Sequence, residues 1–158
     1  MLETPLMEKL PTETESPISV CFVCTGNTCR SPMAAAVLNH LGKGAYRAAS
    51  AGLSAVMGDA ISENAVKALA SRGIKSTPEN NYKNHRAMQT SLEYLERFDK
   101  IVAISESHLF NLICSYPTLT EKITVMPKNI PDPFMCGEEV YKRCLDDITD
   151  GIKELFAI

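Results

Sequence analysis

The sequence predicts an α/β fold, a four-stranded parallel sheet with helices on both faces. Three observations lead there. Short, continuous apolar runs at residues 19–23 and 101–104 read as strands buried on both sides. Between such runs lie segments with helical apolar spacing, opened by Ser or Thr and closed by Gly. The two kinds alternate along the chain, and parallel strands need crossovers of that kind.

Taken in order, the run at 19–23 ends at a polar, glycine-containing turn. Beyond it, Ser31 reads as a helix N-cap and Pro32 as the first helical position, with Met33, Val37, Leu38 and Leu41 at helical spacing and Gly42 as terminator. His40 falls in the last turn of that helix, where a cation suits the dipole. Residues 46–50 read as a second strand running into Ala51 and Gly52. Ser62 caps a second helix with Ala65, Val66, Leu69 and Ala70 on its apolar face and Gly73 beyond its end. Residues 75–85 are polar and irregular. Thr90 and Glu93 form a capping box for a short helix through Leu95. Residues 101–104 are the third strand, and Ser105 then caps a helix carrying Leu109, Phe110, Leu112 and Ile113. Residues 122–125 supply the fourth strand. A loop with Pro127, Pro131 and Pro133 leads to a last helix that turns Val140, Tyr141, Cys144, Leu145, Ile148, Ile152 and Leu155 inward.

The chain of 158 residues suffices for one core, and 45% hydrophobic with 22% charged residues is ordinary for a globular protein. No apolar run approaches the roughly 20 residues of a membrane span. No basic segment followed by an apolar stretch opens the chain, so a cytoplasmic location is expected, without membrane contact. Residues 1–17 hold four acids (Glu3, Glu8, Glu13, Glu15) and one base (Lys9), and thereby carry the whole net charge of −3. They read as a flexible N-terminal tail, leaving residues 18–158 as a single domain without the net charge that draws nucleic acid. Oligomeric state is not legible. Six cysteines are too few for a disulfide scaffold, but Cys21, Cys24 and Cys29 cluster. Cys21 and Cys24 lie three apart on a strand and face opposite ways, and no second ligand pair follows, so no metal site or other cofactor is expected. Cys114 and Cys144 fall on apolar helix faces and read as core; Cys136 reads as exposed.

The segment Cys24-Thr25-Gly26-Asn27-Thr28-Cys29-Arg30-Ser31 carries the chemistry. It joins a strand end to a helix start, where unpaired N–H groups and the positive end of the helix dipole converge. Five residues between Cys24 and Arg30 can wrap one phosphate-sized anion, with Arg30 closing the ring through a bidentate guanidinium. Gly26 and Asn27 tolerate left-handed backbone. Positive surroundings of this kind favour a thiolate, and a thiolate facing a bound phosphoryl group is a nucleophile in position. Asp132, stiffened by proline on both sides, can protonate a departing group.

The stretch from Val23 to Met33 resembles the signature loop of the low-molecular-weight protein tyrosine phosphatase family, and Ser50-Ala51-Gly52 and Asp132-Pro133-Phe134 extend the similarity in the expected order. The resemblance implies a flavodoxin-like four-stranded parallel sheet, a phosphocysteine intermediate, a phosphorylated protein as substrate and no metal. It implies Cys24 as nucleophile, Arg30 as phosphate clamp and Asp132 as general acid. Thr25, Gly26, Asn27, Thr28, Cys29, Arg30 and Ser31 would surround the phosphate. Asn27 and Ser50 would hold the loop's shape, and Ser31 would stabilise the leaving thiolate. Cys29 is either a disulfide partner that shields Cys24 from irreversible oxidation or a small apolar filler. His85 takes the place of a family histidine that supports the loop, although the segment before it is longer than usual and Met88 stands where many members carry arginine.

Two departures bear on substrate. Leu53 and Met135 stand where tyrosine phosphatases often show aromatic residues, and Thr28 replaces a typical isoleucine. With Phe134 after Asp132-Pro133, the chain resembles the bacterial protein-arginine phosphatase branch, so phosphoarginine ranks ahead of phosphotyrosine. The alternative is a thioredoxin-linked arsenate reductase, which shares the Cys24 loop. Such enzymes carry resolving cysteines near the position of residues 105–109, where this chain has none before Cys114.

Overall fold

The computed structural model describes residues 16–158. The expected tail, residues 1–17, lies outside them apart from its last two residues. Four strands, β1 (Ile18–Cys24), β2 (Tyr46–Gly52), β3 (Lys100–Ala103) and β4 (Ile123–Val125), form one sheet in the order β2-β1-β3-β4, all parallel. Among the described residues, five α-helices connect or close them: α1 (Arg30–Leu41), α2 (Glu63–Ser71), α3 (Leu92–Leu95), α4 (Glu106–Ser115) and α5 (Glu138–Phe156), with short 3₁₀ helices at Tyr82–Asn84 and Pro117–Lys122.

Alternation along β1 divides the core. Val20, Phe22 and Cys24 join a cluster with Met33, Leu38, Leu69, Leu145 and Ile148, beneath α1, α2 and α5. Cys21 and Val23 join the opposite cluster with Leu95, Ile101, Leu112 and Leu119, beneath α3 and α4. A strand buried on both faces has no polar side to show, which is why β1 reads as an unbroken apolar run. β1 is followed by β2 on one side and flanked by β3 on the other, so the strand order reverses at its carboxyl end. Open parallel sheets bind ligands at such a point, and Cys24 sits there. None of the described helices is long and apolar enough to cross a membrane.

Four local expectations are corrected. Ser31 does not cap α1: the helix begins at Arg30 with Cys29 in the cap position, and the Ser31 hydroxyl is turned inward. Ser91, not Thr90, caps α3 by accepting from the Tyr94 N–H, while the Thr90 hydroxyl accepts from Tyr116. Ser105 opens α4 but bonds to Ser107 and His108 rather than to a backbone N–H. Ala70, Phe110 and Cys114 face solvent, because α2 and α4 each bury a single stripe against the sheet. Three other local readings hold. Ser62 caps α2, Gly73 follows its end at φ 77°, and α5 buries Tyr141, Cys144, Leu145, Ile148 and Ile152.

Candidate active site

Cys24 ends β1 and Arg30 begins α1, so the five residues between them must reverse the chain within one short loop. The loop closes on a cavity of about 210 Å³ lined by residues 24–30 with Asp132 and Phe134. Among the described residues, none accepts a hydrogen bond from the backbone N–H of residues 25–30. These donors, around the cavity and at the positive end of α1, are left free for an anion.

Asn27 holds the loop in shape. It is fully buried at φ 59°, a left-handed conformation that asparagine tolerates better than most residues. Gly26 takes no positive φ, so only one of the two expected positions uses that freedom. The Asn27 side-chain carbonyl accepts from the Met88 N–H at 2.9 Å, which orients its amide; the NH₂ group then donates to Ser31 Oγ (2.8 Å) and Ser50 Oγ (2.9 Å). Ser31 Oγ accepts from Asn27, and of the two acceptors within reach of its own proton Cys24 Sγ, at 2.9 Å, is nearer than the Ala51 carbonyl at 3.5 Å. A chain of hydrogen bonds thus runs from the Met88 N–H through Asn27 and Ser31 to Cys24. Gly52 completes the fit. A Cβ at this position would lie 2.5 Å from the Thr25 carbonyl oxygen, so no larger residue lets β2 approach the loop.

Two histidines support the loop from outside. His85 Nε2 lies 2.7 Å from the Asn27 carbonyl oxygen and donates to it. The place the resemblance gave it is therefore occupied, despite the longer segment before it. His108 was missed by sequence reasoning: it is buried, with Nε2 2.9 Å from Thr25 Oγ1 and Nδ1 2.8 Å from Ser105 Oγ. Burial pushes the His85 pKa down, and burial with the nearby Arg30 charge pushes His108 down to about 4, so both rings are neutral near pH 7. The unfolded chain, with histidine near 6.5, takes up protons first as pH falls. The histidine contribution to stability is therefore lost between about pH 6.5 and about 4, and that loss is complete once His108 is protonated in both states. Denaturant midpoints across that window should show the drop, and it should shrink in His108→Gln; an undiminished drop would place its origin elsewhere.

Arg30 is almost wholly buried. Its Nη1 donates to the Ile130 carbonyl (3.1 Å) and its Nη2 lies 3.5 Å from Asp132 Oδ2. The guanidinium thus ties the loop around Cys24 to the proline-rich segment and sets the carboxyl over the cavity. The Phe134 N–H donates to Asp132 Oδ1 (3.1 Å), fixing the carboxyl further, while half of the side chain stays open to solvent. Cys29 Sγ lies 3.1 Å from the hydroxyl of Tyr141 on α5, a second partner that sequence reasoning placed only as core. Burial and this contact push the Tyr141 pKa up to about 12, so it remains a neutral phenol. Cys21 faces away from this site, into the opposite cluster. The six cysteines are free thiols, and burial pushes Cys144 up to about 12.

A cysteine at a strand end, free N–H groups around an anion-sized cavity, a buried arginine and a carboxyl above them suit cysteine-dependent phosphoryl transfer. Residues 19–158 match the family of low molecular weight phosphotyrosine protein phosphatases, and the chain belongs to that family as a phosphoprotein phosphatase. It is 32% identical to a protein-arginine-phosphatase of Geobacillus stearothermophilus, over 88% of this chain and 94% of that one. A low molecular weight protein-tyrosine-phosphatase of Streptomyces coelicolor is 31% identical over 87% of this chain and 91% of its own. Among solved structures, the YwlE arginine phosphatase of G. stearothermophilus superposes with a TM-score of 0.79 at 31% identity, covering 88% of this chain and 90% of that one. These relatives are phosphatases, which favours hydrolysis over the reductase alternative.

Proposed function

We propose that this phosphatase hydrolyses phosphoarginine in proteins through a phosphocysteine on Cys24. The observation that carries the reading is the ring of free N–H groups from residues 25–30, closed by Arg30 around a cavity with Cys24 at its floor and Asp132 at its rim. The Cys24 thiolate attacks phosphorus, the bond to the substrate nitrogen or oxygen breaks, and Asp132 gives its proton to the leaving group. Thr25, Gly26, Asn27, Thr28, Cys29, Arg30 and Ser31 hold the phosphoryl oxygens, chiefly through backbone N–H groups and the guanidinium. Water then attacks the phosphocysteine and yields a proton to Asp132. The thiolate departs with Ser31 bonded to it, and inorganic phosphate is released. Asn27 and Ser50 keep the loop in shape. Residues 18–158 serve as the phosphatase domain, and the six free thiols suit a reducing, cytoplasmic setting.

Phosphoarginine is preferred over phosphotyrosine because Thr28 lines the cavity and brings a hydroxyl where isoleucine would bring only carbon. The relatives support it: enzymes of G. stearothermophilus and Bacillus subtilis with 32% and 28% identity are both protein-arginine-phosphatases. Thr28→Ile should shift the ratio of kcat/KM toward phosphotyrosine by about 10- to 150-fold, the equivalent of a lost hydrogen bond to a charged group of roughly 1.5–3 kcal/mol. Matched peptides measured side by side, without added metal, test both claims. A wild type that prefers phosphotyrosine by a wide margin would return the chain to the tyrosine branch, and an unchanged ratio in the variant would leave Thr28 as loop filling.

Cys29 also has a redox role in this reading. Mild peroxide converts the Cys24 thiolate to a sulfenic acid, and the Cys29 thiol displaces water from it to form a disulfide. Inactivation by peroxide should then reverse with dithiothreitol, and should become irreversible in Cys29→Ser. A disulfide from Cys24 to Cys114, Cys136 or Cys144, detected by peptide mass mapping, would refute the pairing.

A further inference from the structure

Behind the phosphate loop, between α1 and the segment that precedes α3, lies a second cavity of about 290 Å³ that the reaction does not use. Its wall is the outer edge of β2. In the parallel register with β1, residues 47, 49 and 51 bond inward, so the peptide groups of Ala48, Ser50 and Gly52 face out. Two of these three are occupied. The Asn39 carboxamide takes both groups of Ala48, donating from Nδ2 to its carbonyl (3.1 Å) and accepting its N–H at Oδ1 (2.8 Å). The Gly52 N–H donates to the Met88 carbonyl (2.8 Å), and its own carbonyl accepts from Thr90 N–H (2.9 Å). Among the described residues, nothing bonds to the N–H or C=O of Ser50, although this residue is 7% exposed and lines the cavity. A buried peptide pair left open inside a polar cavity requires a partner.

We propose that this cavity is a binding site for a small planar carboxamide or lactam, held by the N–H and C=O of Ser50 and coupled to the phosphate loop through Asn27. The ligand chemistry is copied from the protein itself: Asn39 shows that a carboxamide satisfies an identical peptide edge one register step away. A strand-forming peptide does not fit, because at about 3.3 Å per residue the occupied positions lie only about 7 Å to either side. The coupling is structural. Ser50, His85 and Met88, which bond Asn27 through its amide, carbonyl and side-chain oxygen, all line this cavity. A ligand that shifts any of them acts on the residue that shapes the ring. Only this coupling rests on reading residues 24–30 as the phosphate loop; binding at Ser50 does not.

The test is a ¹⁵N–¹H titration of the protein with 2-pyridone, which presents N–H and C=O on one edge, against N-methyl-2-pyridone, which lacks the donor. The Ser50 amide resonance should move and saturate with 2-pyridone alone, while the already bonded Ala48 and Gly52 amides move little. Ala35→Leu, which fills the cavity from α1, should abolish the response. Saturating 2-pyridone should change orthovanadate affinity by roughly fivefold or more, the low end of ordinary coupling. No saturable Ser50 shift, or the same shift with the methylated probe, would reduce the cavity to a water-filled seam and overturn the site. Saturable binding with unchanged vanadate affinity would overturn the coupling. Failure of vanadate to bind at all would instead overturn the phosphate-loop reading, and the coupling with it.

Discussion

Cys24→Ser is expected to lose turnover by roughly 10⁴-fold or more while still binding orthovanadate, because in the proposed mechanism sulfur is the atom that attacks and a serine hydroxyl is a far weaker nucleophile. The side chain is buried and contacts Ser31 Oγ, and oxygen for sulfur is a small change in volume, so the fold should persist. The N–H ring and Arg30 are untouched by the substitution. Binding and chemistry should therefore separate cleanly: equilibrium vanadate affinity stays within a few-fold of wild type, and single-turnover rates collapse. Full turnover in a preparation shown by mass to be free of wild-type protein would refute covalent catalysis at this residue. Loss of both binding and turnover would point to collapse of the loop instead.

Asp132→Asn has the second largest expected effect, and its pattern matters more than its size. The carboxamide keeps the shape and can still accept from the Phe134 N–H, but it has no proton to give. Poor leaving groups, such as an alkyl alcohol, should slow by about 10²–10⁴-fold, whereas a nitrophenolate, which leaves without help, should slow far less in the first step. Equal losses across leaving groups would assign Asp132 a structural part through its contact with Arg30, which Asn weakens. The slope of log rate against leaving-group acidity separates the two accounts.

The parts legible in the sequence are those whose chemistry is local. A strand, a five-residue loop and a helix start are contiguous, so Cys24, Arg30 and the intervening residues announce themselves together. Asp132 does so through its flanking prolines. The supporting contacts are different in kind. His85 meets Asn27 across 58 residues, His108 meets Thr25 across 83, and Tyr141 meets Cys29 across 112. Periodicity places Tyr141 on an inward face but says nothing about what its hydroxyl touches, and nothing marks His108 beyond its position three residues after a helix-opening serine. Two of the three misplaced caps share one cause. Ser31 and Thr90 have side chains suited to capping, but tertiary partners at Cys24 and Tyr116 take their hydroxyls first. Phe110 and Cys114 fail as core residues because a short helix on an open sheet buries one narrow stripe, and their hydrophobic character alone does not choose it.

The phosphocysteine is the central claim, and the most direct measurement is rapid mixing of the Asp132→Asn protein with nitrophenyl phosphate. The first step needs no acid for this leaving group, while the second still needs a base to take a proton from water, so the intermediate should accumulate. The expected result is a burst of nitrophenolate stoichiometric with enzyme, together with a phosphoryl group found by mass spectrometry on the peptide that carries Cys24. A burst with the phosphoryl group on any other residue, or turnover in which neither a burst nor an adduct is seen with wild-type and variant enzyme alike, would contradict it.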